Sequence, residues 1–214
     1  MSTIEYFYSP HSAFAYLGAP RLMDICAGPG IRLFHKPFDF QPVVRAAGAP
    51  PPAERSAAYH AYFFGREIVR WAEWRGLPVI ARRPTHHDNP LDLAGGLIIA
   101  AQEAGLEGHT VDALSFAILQ AHWRDDADIA DARVLGALLG SAGLDRALLD
   151  AARSEPVQAI FRANTEEAIA RDVFGSPTYI VDGDPFFGQD RLDLVDRALT
   201  RPFAPNAWRP LPEA

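Results

Sequence analysis

Two serines three residues apart, Ser9 and Ser12 in Ser9-Pro10-His11-Ser12, carry the first arrangement in this chain that could do chemistry. The residues before them, Ile4-Glu5-Tyr6-Phe7-Tyr8, have strand propensity, and Ala13-Phe14-Ala15-Tyr16-Leu17 follows with helical composition. A strand that turns sharply into a helix presents free backbone N–H groups and the positive end of the helix dipole, a setting that holds an anion or stabilises a thiolate. Cysteines at this spacing would exchange a dithiol for a disulfide. Serines cannot, and the chain's single cysteine, Cys26, falls about four turns further on. In-chain disulfide exchange is therefore excluded, while capture of a thiolate carried by another molecule is not. Read alone, Ser9 is an N-cap with Pro10 at the first helical position, and the helix is expected from about Pro10 to Ala27.

The elements that position this corner follow from the same kind of reading. Gly28-Pro29-Gly30 turns into Ile31-Arg32-Leu33-Phe34-His35-Lys36, so strand, helix and strand open the chain as a parallel βαβ unit. The run Ala46 to Pro52 is a boundary loop. From about Glu54 to Arg171 the composition is helical: Ser56 to Arg75 ending at Gly76, Leu91 to Ala104, His109 to Trp123, Asp131 to Leu139, Leu144 to Arg153 and Pro156 to Asp172, with Pro78-Val79-Ile80 as the one short strand candidate. Strand signals return at Gly175 to Val181 and Pro185-Phe186-Phe187, separated by the hairpin dipeptide Asp182-Gly183. A last helix is expected from near Asp190 to Leu199.

Composition bounds the function. A chain of 214 residues with 49% hydrophobic residues buries a core of ordinary size. A net charge of -7 and a single lysine, Lys36, argue against nucleic acid as a partner. One cysteine suits a reducing compartment, and no signal peptide or membrane span is legible, so a cytoplasmic location without membrane association is expected. Adjacent His86-His87, with no matching Cys/His set, read as surface or pocket polar groups and not as a metal site. Cys26 reads as buried and inert, and Trp71 and Trp74 as core or interface packing.

Several motifs in order resemble one family: Tyr8-Ser9-Pro10-His11-Ser12; Arg70-Trp71-Ala72 before Gly76-Leu77-Pro78; Asn89-x-Leu91; Trp123 with Asp128-Ile129-Ala130-Asp131; and Val173-Phe174-Gly175-Ser176-Pro177-Thr178 with Gly188-Gln189-Asp190-Arg191-Leu192. They are similar to the DsbA-like branch of the thioredoxin fold, and within it to the 2-hydroxychromene-2-carboxylate isomerases and kappa-class glutathione transferases. The resemblance implies an α/β thioredoxin-like domain with a large all-helical insertion. Its first half would span 1–50, the insertion 51–172, the second half 173–201, and a Pro-rich tail 202–214.

The resemblance also implies roles. Ser9 would hydrogen-bond the sulfur of glutathione and help hold it as thiolate. Pro177 would be cis, and Ser176 before it would offer backbone N–H and C=O to the glutathione peptide. Gly188, Gln189 and Asp190 would take the γ-glutamyl end, although Asp190 alone also reads as an N-cap. His11, Arg45, Arg83 and Asn89 are the candidates for contact with a small aromatic substrate. The lysine and asparagine that the family commonly carries after the second strand are absent, with Ala49 about where the asparagine would fall. Three readings follow: a glutathione-dependent isomerase acting by reversible thiolate addition to an aromatic 2-oxo acid; a kappa-like transferase or peroxidase; or a DsbA-like binding module without redox activity. A homodimer is implied by the family.

Overall fold

A computed structural model describes residues 2–50, 54–106 and 108–207. Strand β1 (Ser2–Tyr8) is its centre. Alternate side chains of β1 enter two cores, as the two-residue period of a strand requires. Ile4, Tyr6 and Tyr8 join the large core, while Phe7 joins a smaller one with Phe38, Val43, Ala168, Val173 and Ile180. Both faces of the strand are therefore covered.

Helix α1 (Ala13–Cys26) returns the chain to β2 (Ile31–Pro37), which lies parallel to β1 with Ser2 opposite Ile31 and Tyr8 opposite Pro37. The chain then leaves the sheet. A short helix, α2 (Phe40–Ala46), occupies a segment where no element was expected. Its N-cap Asp39 accepts from the Gln41 N–H, the local signal that could have located it. Next comes a single helical run made of α3 (Ala57–Tyr59), a π-helical stretch His60–Arg66 and α4 (Glu67–Arg75), closed by Gly76 at φ 65°. The start at Ser56 and stop at Gly76 match the expectation from spacing, but the widened π turn does not show in composition. Trp71 packs on the core from this run, whereas Trp74 is 79% exposed and so lies outside it.

The Pro78–Ile80 segment is not a strand. Pro78 lacks an N–H, and Ile80 makes a lone backbone bond to the Trp123 carbonyl, 2.9 Å, which does not form a ladder. Helices α5 (Asp92–Glu103), α6 (His109–Trp123), α7 (Ala132–Ser141), α8 (Ala147–Ala152) and α9 (Glu155–Ala170) complete the insertion. Most of their buried apolar residues share the large core with β1 and α1, while Ala168 of α9 belongs to the smaller core.

The chain re-enters the sheet as β3 (Thr178–Val181), antiparallel to β1, and β4 (Asp184–Phe187), antiparallel to β3. Asp182 and Gly183 both have positive φ, 49° and 88°, the requirement of a two-residue turn whose twist fits the strands. The described strands form one sheet in the order β2-β1-β3-β4. Across β1 and β3, Tyr6 stands opposite Tyr179 and the two rings stack at 5.3 Å, with Tyr8 stacked on Tyr6 at 4.0 Å. A 3-10 turn, Gln189–Arg191, leads into α10 (Leu192–Thr200). After it, Phe203 lies under Arg197 and against Phe186, while residues 208–214 of the Pro-rich tail fall outside the described residues.

Candidate active site at the strand-to-helix corner

The corner departs from the expected cap. Ser12, not Ser9, is the N-cap of α1: its backbone is extended at φ -75° and ψ 123°, and its Oγ accepts from the Ala15 N–H at 3.2 Å. Pro10 and His11 form a turn before the helix, closed by the Ser12 N–H donating to the Ser9 carbonyl at 3.0 Å. The Ser9 hydroxyl is thus left for other work. It hydrogen-bonds His11 Nδ1 at 2.9 Å in a fully buried position.

The Ser176–Pro177 peptide is cis and faces this corner. Ser176 Oγ accepts from the Ser9 N–H at 2.9 Å, and the Ser176 carbonyl accepts from Ser12 Oγ–H at 3.2 Å. Ser9, Ser12 and Ser176 are therefore one hydrogen-bonded unit, although Ser9 and Ser176 are 167 positions apart. From the other side of Pro177, its carbonyl accepts from the Gly188 N–H at 2.9 Å and so ties the 188–190 loop to the corner.

In that loop Gly188 has φ 102°, and a Cβ placed on it would meet Asp190 Oδ1 at 2.5 Å. The carboxylate of Asp190 sits over the bare Cα, is exposed, and pairs with Arg191 at 2.8 Å; it does not cap α10. Gln189 points the other way. It is buried against Gly18 of α1, and its Oε1 accepts from Arg75 at 3.1 Å, so its side chain braces the loop.

The substrate candidates scatter differently. Arg45 lies exposed in the last turn of α2. Asn89 donates to Asp128 at 2.9 Å. Arg83 makes a two-pronged pair with Asp88, 2.8 and 2.5 Å, and its charge reaches both His11 and His87.

A group of imidazoles surrounds His11. The His87 ring stands edge-on to it at 4.4 Å, the His122 ring lies at 6.4 Å, and His87 Nδ1 is 2.9 Å from His122 Nε2. Phe40 packs on His11 at 5.5 Å. Trp123 Nε1–H donates to the His11 carbonyl at 2.8 Å, pinning the turn. All three imidazoles are held neutral. Burial lowers His11 far below the ordinary histidine value, and the neighbouring His87 and His122 lower it further. Burial likewise brings His87 to about 3 and His122 to about 4. Of these, His122 escaped sequence reasoning altogether, since nothing near it in the chain marks its neighbour across 35 positions.

Cys26 is partly buried, far along α1, and burial pushes its thiol up to about 12, so it supplies no nucleophile. Beneath the corner, Tyr8 hydrogen-bonds Ser115 at 2.7 Å and His35 at 3.0 Å, and His35 bonds Asp112 at 2.9 Å. This buried line fixes the end of β1 from which Ser9 extends.

A model of the DSBA-like thioredoxin domain matches residues 3–200. The chain belongs to this family. Among curated proteins, it is similar to the 2-hydroxychromene-2-carboxylate isomerase of Sphingobium xenophagum, 27% identical over 198 residues that cover 92% of this chain and 97% of that protein. The enzyme of the same name from Pseudomonas putida is 24% identical over 206 residues, 95% of this chain and 97% of the relative. Among solved structures, a 2-hydroxychromene-2-carboxylate isomerase superposes with TM-score 0.75 at 23% identity, covering 93% of this chain and 95% of its own. The cytosolic disulfide reductase DsbM from Pseudomonas aeruginosa, solved with GSH, superposes with TM-score 0.61 at 22% identity over 94% of this chain and 93% of its own. These likenesses show the DSBA-like fold, with an all-helical insertion between β2 and β3. No described helix is long and apolar enough to cross a membrane.

Proposed function

We propose that this protein is a glutathione-dependent isomerase of the 2-hydroxychromene-2-carboxylate type. The observation that carries the reading is the corner itself: the positions of a dithiol hold Ser9 and Ser12, both bonded to Ser176 at the cis proline, in a chain similar over more than nine-tenths of its length to curated proteins that bear that enzyme's name. A site of this kind keeps a place for sulfur and supplies none.

The residues present fit glutathione. Gly188, having no Cβ, lets the carboxylate of Asp190 fold over its Cα, and that exposed carboxylate has the right charge for an ammonium. In the tautomer where His11 Nδ1 carries the proton, Nδ1–H donates to Ser9 Oγ and the Ser9 hydroxyl proton is free to donate to sulfur. Ser176, next to the cis bond, would run alongside the peptide. Bound there, glutathione supplies a thiolate that adds reversibly to the electron-poor double bond of an aromatic 2-oxo acid.

The chain's own share is orientation and charge. Ser9 and the N-terminus of α1 favour the ionised sulfur. His11 keeps the Ser9 hydroxyl aimed, and the Trp123–His11 bond holds the turn that places both. Ser9 is fully buried, so access of a ligand to its hydroxyl requires a rearrangement at the corner. Of the two arginines, Arg83 is the better partner for the substrate carboxylate, because its charge is felt by His11 and His87; the incoming carboxylate would compete with Asp88. Arg45 stays in reserve on the exposed face of α2. A homodimer and a cytoplasmic location accompany this reading.

The test is calorimetric titration with reduced glutathione together with the absorbance change of 2-hydroxychromene-2-carboxylate, in wild-type protein and Ser9→Ala. Saturable glutathione binding with isomerisation, both lost in Ser9→Ala, is the expected result. Binding without isomerisation would move the reading to a transferase or peroxidase, and no binding would leave a module that has only the fold.

A further inference from the structure

A chain of hydrogen bonds in the histidine group determines which ring nitrogen carries each proton. It begins at a backbone carbonyl, which can only accept. His122 is fully buried and neutral, and its Nδ1 bonds the Ala127 carbonyl at 3.5 Å, a long hydrogen bond in which the carbonyl can only accept, so the proton is on Nδ1. A neutral ring protonated at Nδ1 has a bare Nε2. His87 Nδ1, 2.9 Å from that Nε2, must then be the donor, and the remaining nitrogen of His87, its Nε2, is left as an acceptor on the side of the ring away from His122. No described residue supplies it with a hydrogen bond, and it is not among the sealed polar atoms of the core.

The position gives that acceptor a use. His87 stands edge-on to His11 at 4.4 Å, and His11 is bonded to Ser9, so the His87 ring lies about one aromatic ring away from the place proposed for sulfur. Phe40 packs on His11 at 5.5 Å and Trp123 on His87 at 5.7 Å; His11 and Trp123 are buried, while Phe40 and His87 are half-buried. A half-buried aromatic edge such as that of Phe40 and His87 takes another aromatic ring, and an uncharged acceptor beside it takes a neutral hydroxyl in preference to an anion.

We propose that His87 is the specificity-determining residue of this site, its Nε2 accepting a hydrogen bond from a hydroxyl ortho to the side chain of an aromatic 2-oxo acid, and that His122 and the Ala127 carbonyl hold it in the accepting tautomer. The proposal rests on the isomerase reading above for the substrate class, but not for the tautomers. A hydroxychromene carboxylate is the ring-closed form of such an ortho-hydroxy compound: when the ring C–O bond opens, the ring oxygen becomes the phenol and the hemiketal carbon becomes the ketone, with no net change of atoms. His87 would hold the phenol so formed and discriminate against rings lacking it.

Two measurements test this. Long-range nitrogen–proton correlation spectra of histidine-labelled protein at neutral pH should show both His87 and His122 protonated at Nδ1; a His87 ring protonated at Nε2 overturns the proposal. Calorimetry without glutathione should find 2-hydroxycinnamate bound about tenfold or more tighter than cinnamate. His87→Phe should erase that ratio while His87→Gln, whose Oε1 reaches the place of Nε2, should keep most of it. Equal binding of the two acids by the wild type, or equal loss of both in His87→Phe, overturns the assignment. If the ratio is found but the loaded protein isomerises nothing, the isomerase reading fails and the acceptor role of His87 stands.

Discussion

Three neutral imidazoles packed beside Ser9 make the protein sensitive to mild acid, and the size of the effect follows from where they titrate. An unfolded histidine takes up a proton near 6.5, while His122 in the fold waits until about 4 and His87 until about 3. Between those limits the unfolded chain binds more protons than the folded one, so stability falls as pH falls. It is complete above 6.5 and its loss from His122 levels off near 4. Each such residue contributes a slope of about 1.4 kcal/mol per pH unit, so lowering pH from 7.5 to 5.0 costs about 2 kcal/mol for His122 and about as much again for His87. His11 adds in the same direction. A combined loss of about 4 kcal/mol or more is a large part of the roughly 5–15 kcal/mol that holds a folded protein together. The window lies above the titration of the paired carboxylates Glu5, Asp88 and Asp131, whose values are lowered by their arginine partners, so they do not enter it. Urea unfolding at 7.5, 6.5, 5.8 and 5.0, pH values chosen at roughly even spacing to follow the linkage slope, on wild type and His122→Gln, provides the assay. Gln keeps an acceptor for His87 and removes one titrating ring, so the variant should show a slope smaller by about one proton. Equal stability of the wild type at the two ends of the range, or an unchanged slope in the variant, would refute the claim that His122 is held neutral.

Other consequences can be checked alongside. Gly188→Ala places a methyl on Asp190 Oδ1 at a backbone angle of 102° that side chains avoid; a cost of about 1–3 kcal/mol in thermal unfolding and weaker glutathione binding are expected. Asp190→Ala should weaken glutathione in calorimetry with less than about 0.5 kcal/mol change in stability, because the exposed carboxylate pairs only with Arg191 among the described residues. Gly18→Ala sets a Cβ 2.7 Å from that of Gln189 and 3.1 Å from the Tyr179 hydroxyl, so overpacking of about 1–3 kcal/mol should appear as a lower urea midpoint, together with a displaced 188–190 loop. Asp112→Ala leaves His35 Nε2 without its partner in a buried place, with an expected loss of about 1–3 kcal/mol in the same assay.

What could be read from the sequence was what strong local signals encode. The βαβ opening, the Asp182–Gly183 hairpin, the helix stops at Gly76 and Gly105 and the span of α6 all rest on neighbours a few residues apart. The cap of α1 was misplaced because Ser9 and Ser12 are equally good caps in isolation; what decides between them is Ser176, which draws the N–H of one and the hydroxyl of the other. The π-helical stretch His60–Arg66 has no compositional mark, and the Pro78–Ile80 segment had apolar residues but no neighbouring strand to pair with. In the candidate site, Ser9, Ser176, Pro177 and Gly188 were reachable through motif order. The histidine group was not. Its members come from the turn before α1, the loop before α5 and the end of α6, and only the packing of α6 on α1 brings them side by side.

The sheet order sets a timetable for the nascent chain. β1 and β2 are synthesised within the first 37 positions and can pair at once, but the other edge of β1 stays open until Thr178–Val181 has been made. Through the synthesis of the whole helical insertion, the central strand exposes a row of unpaired N–H and C=O groups, and Tyr6 and Phe7 lack the Tyr179 and Ile180 that pack on them. A truncated product ending before β3 would therefore lack Ser176 and offer a template for strand pairing with its own kind.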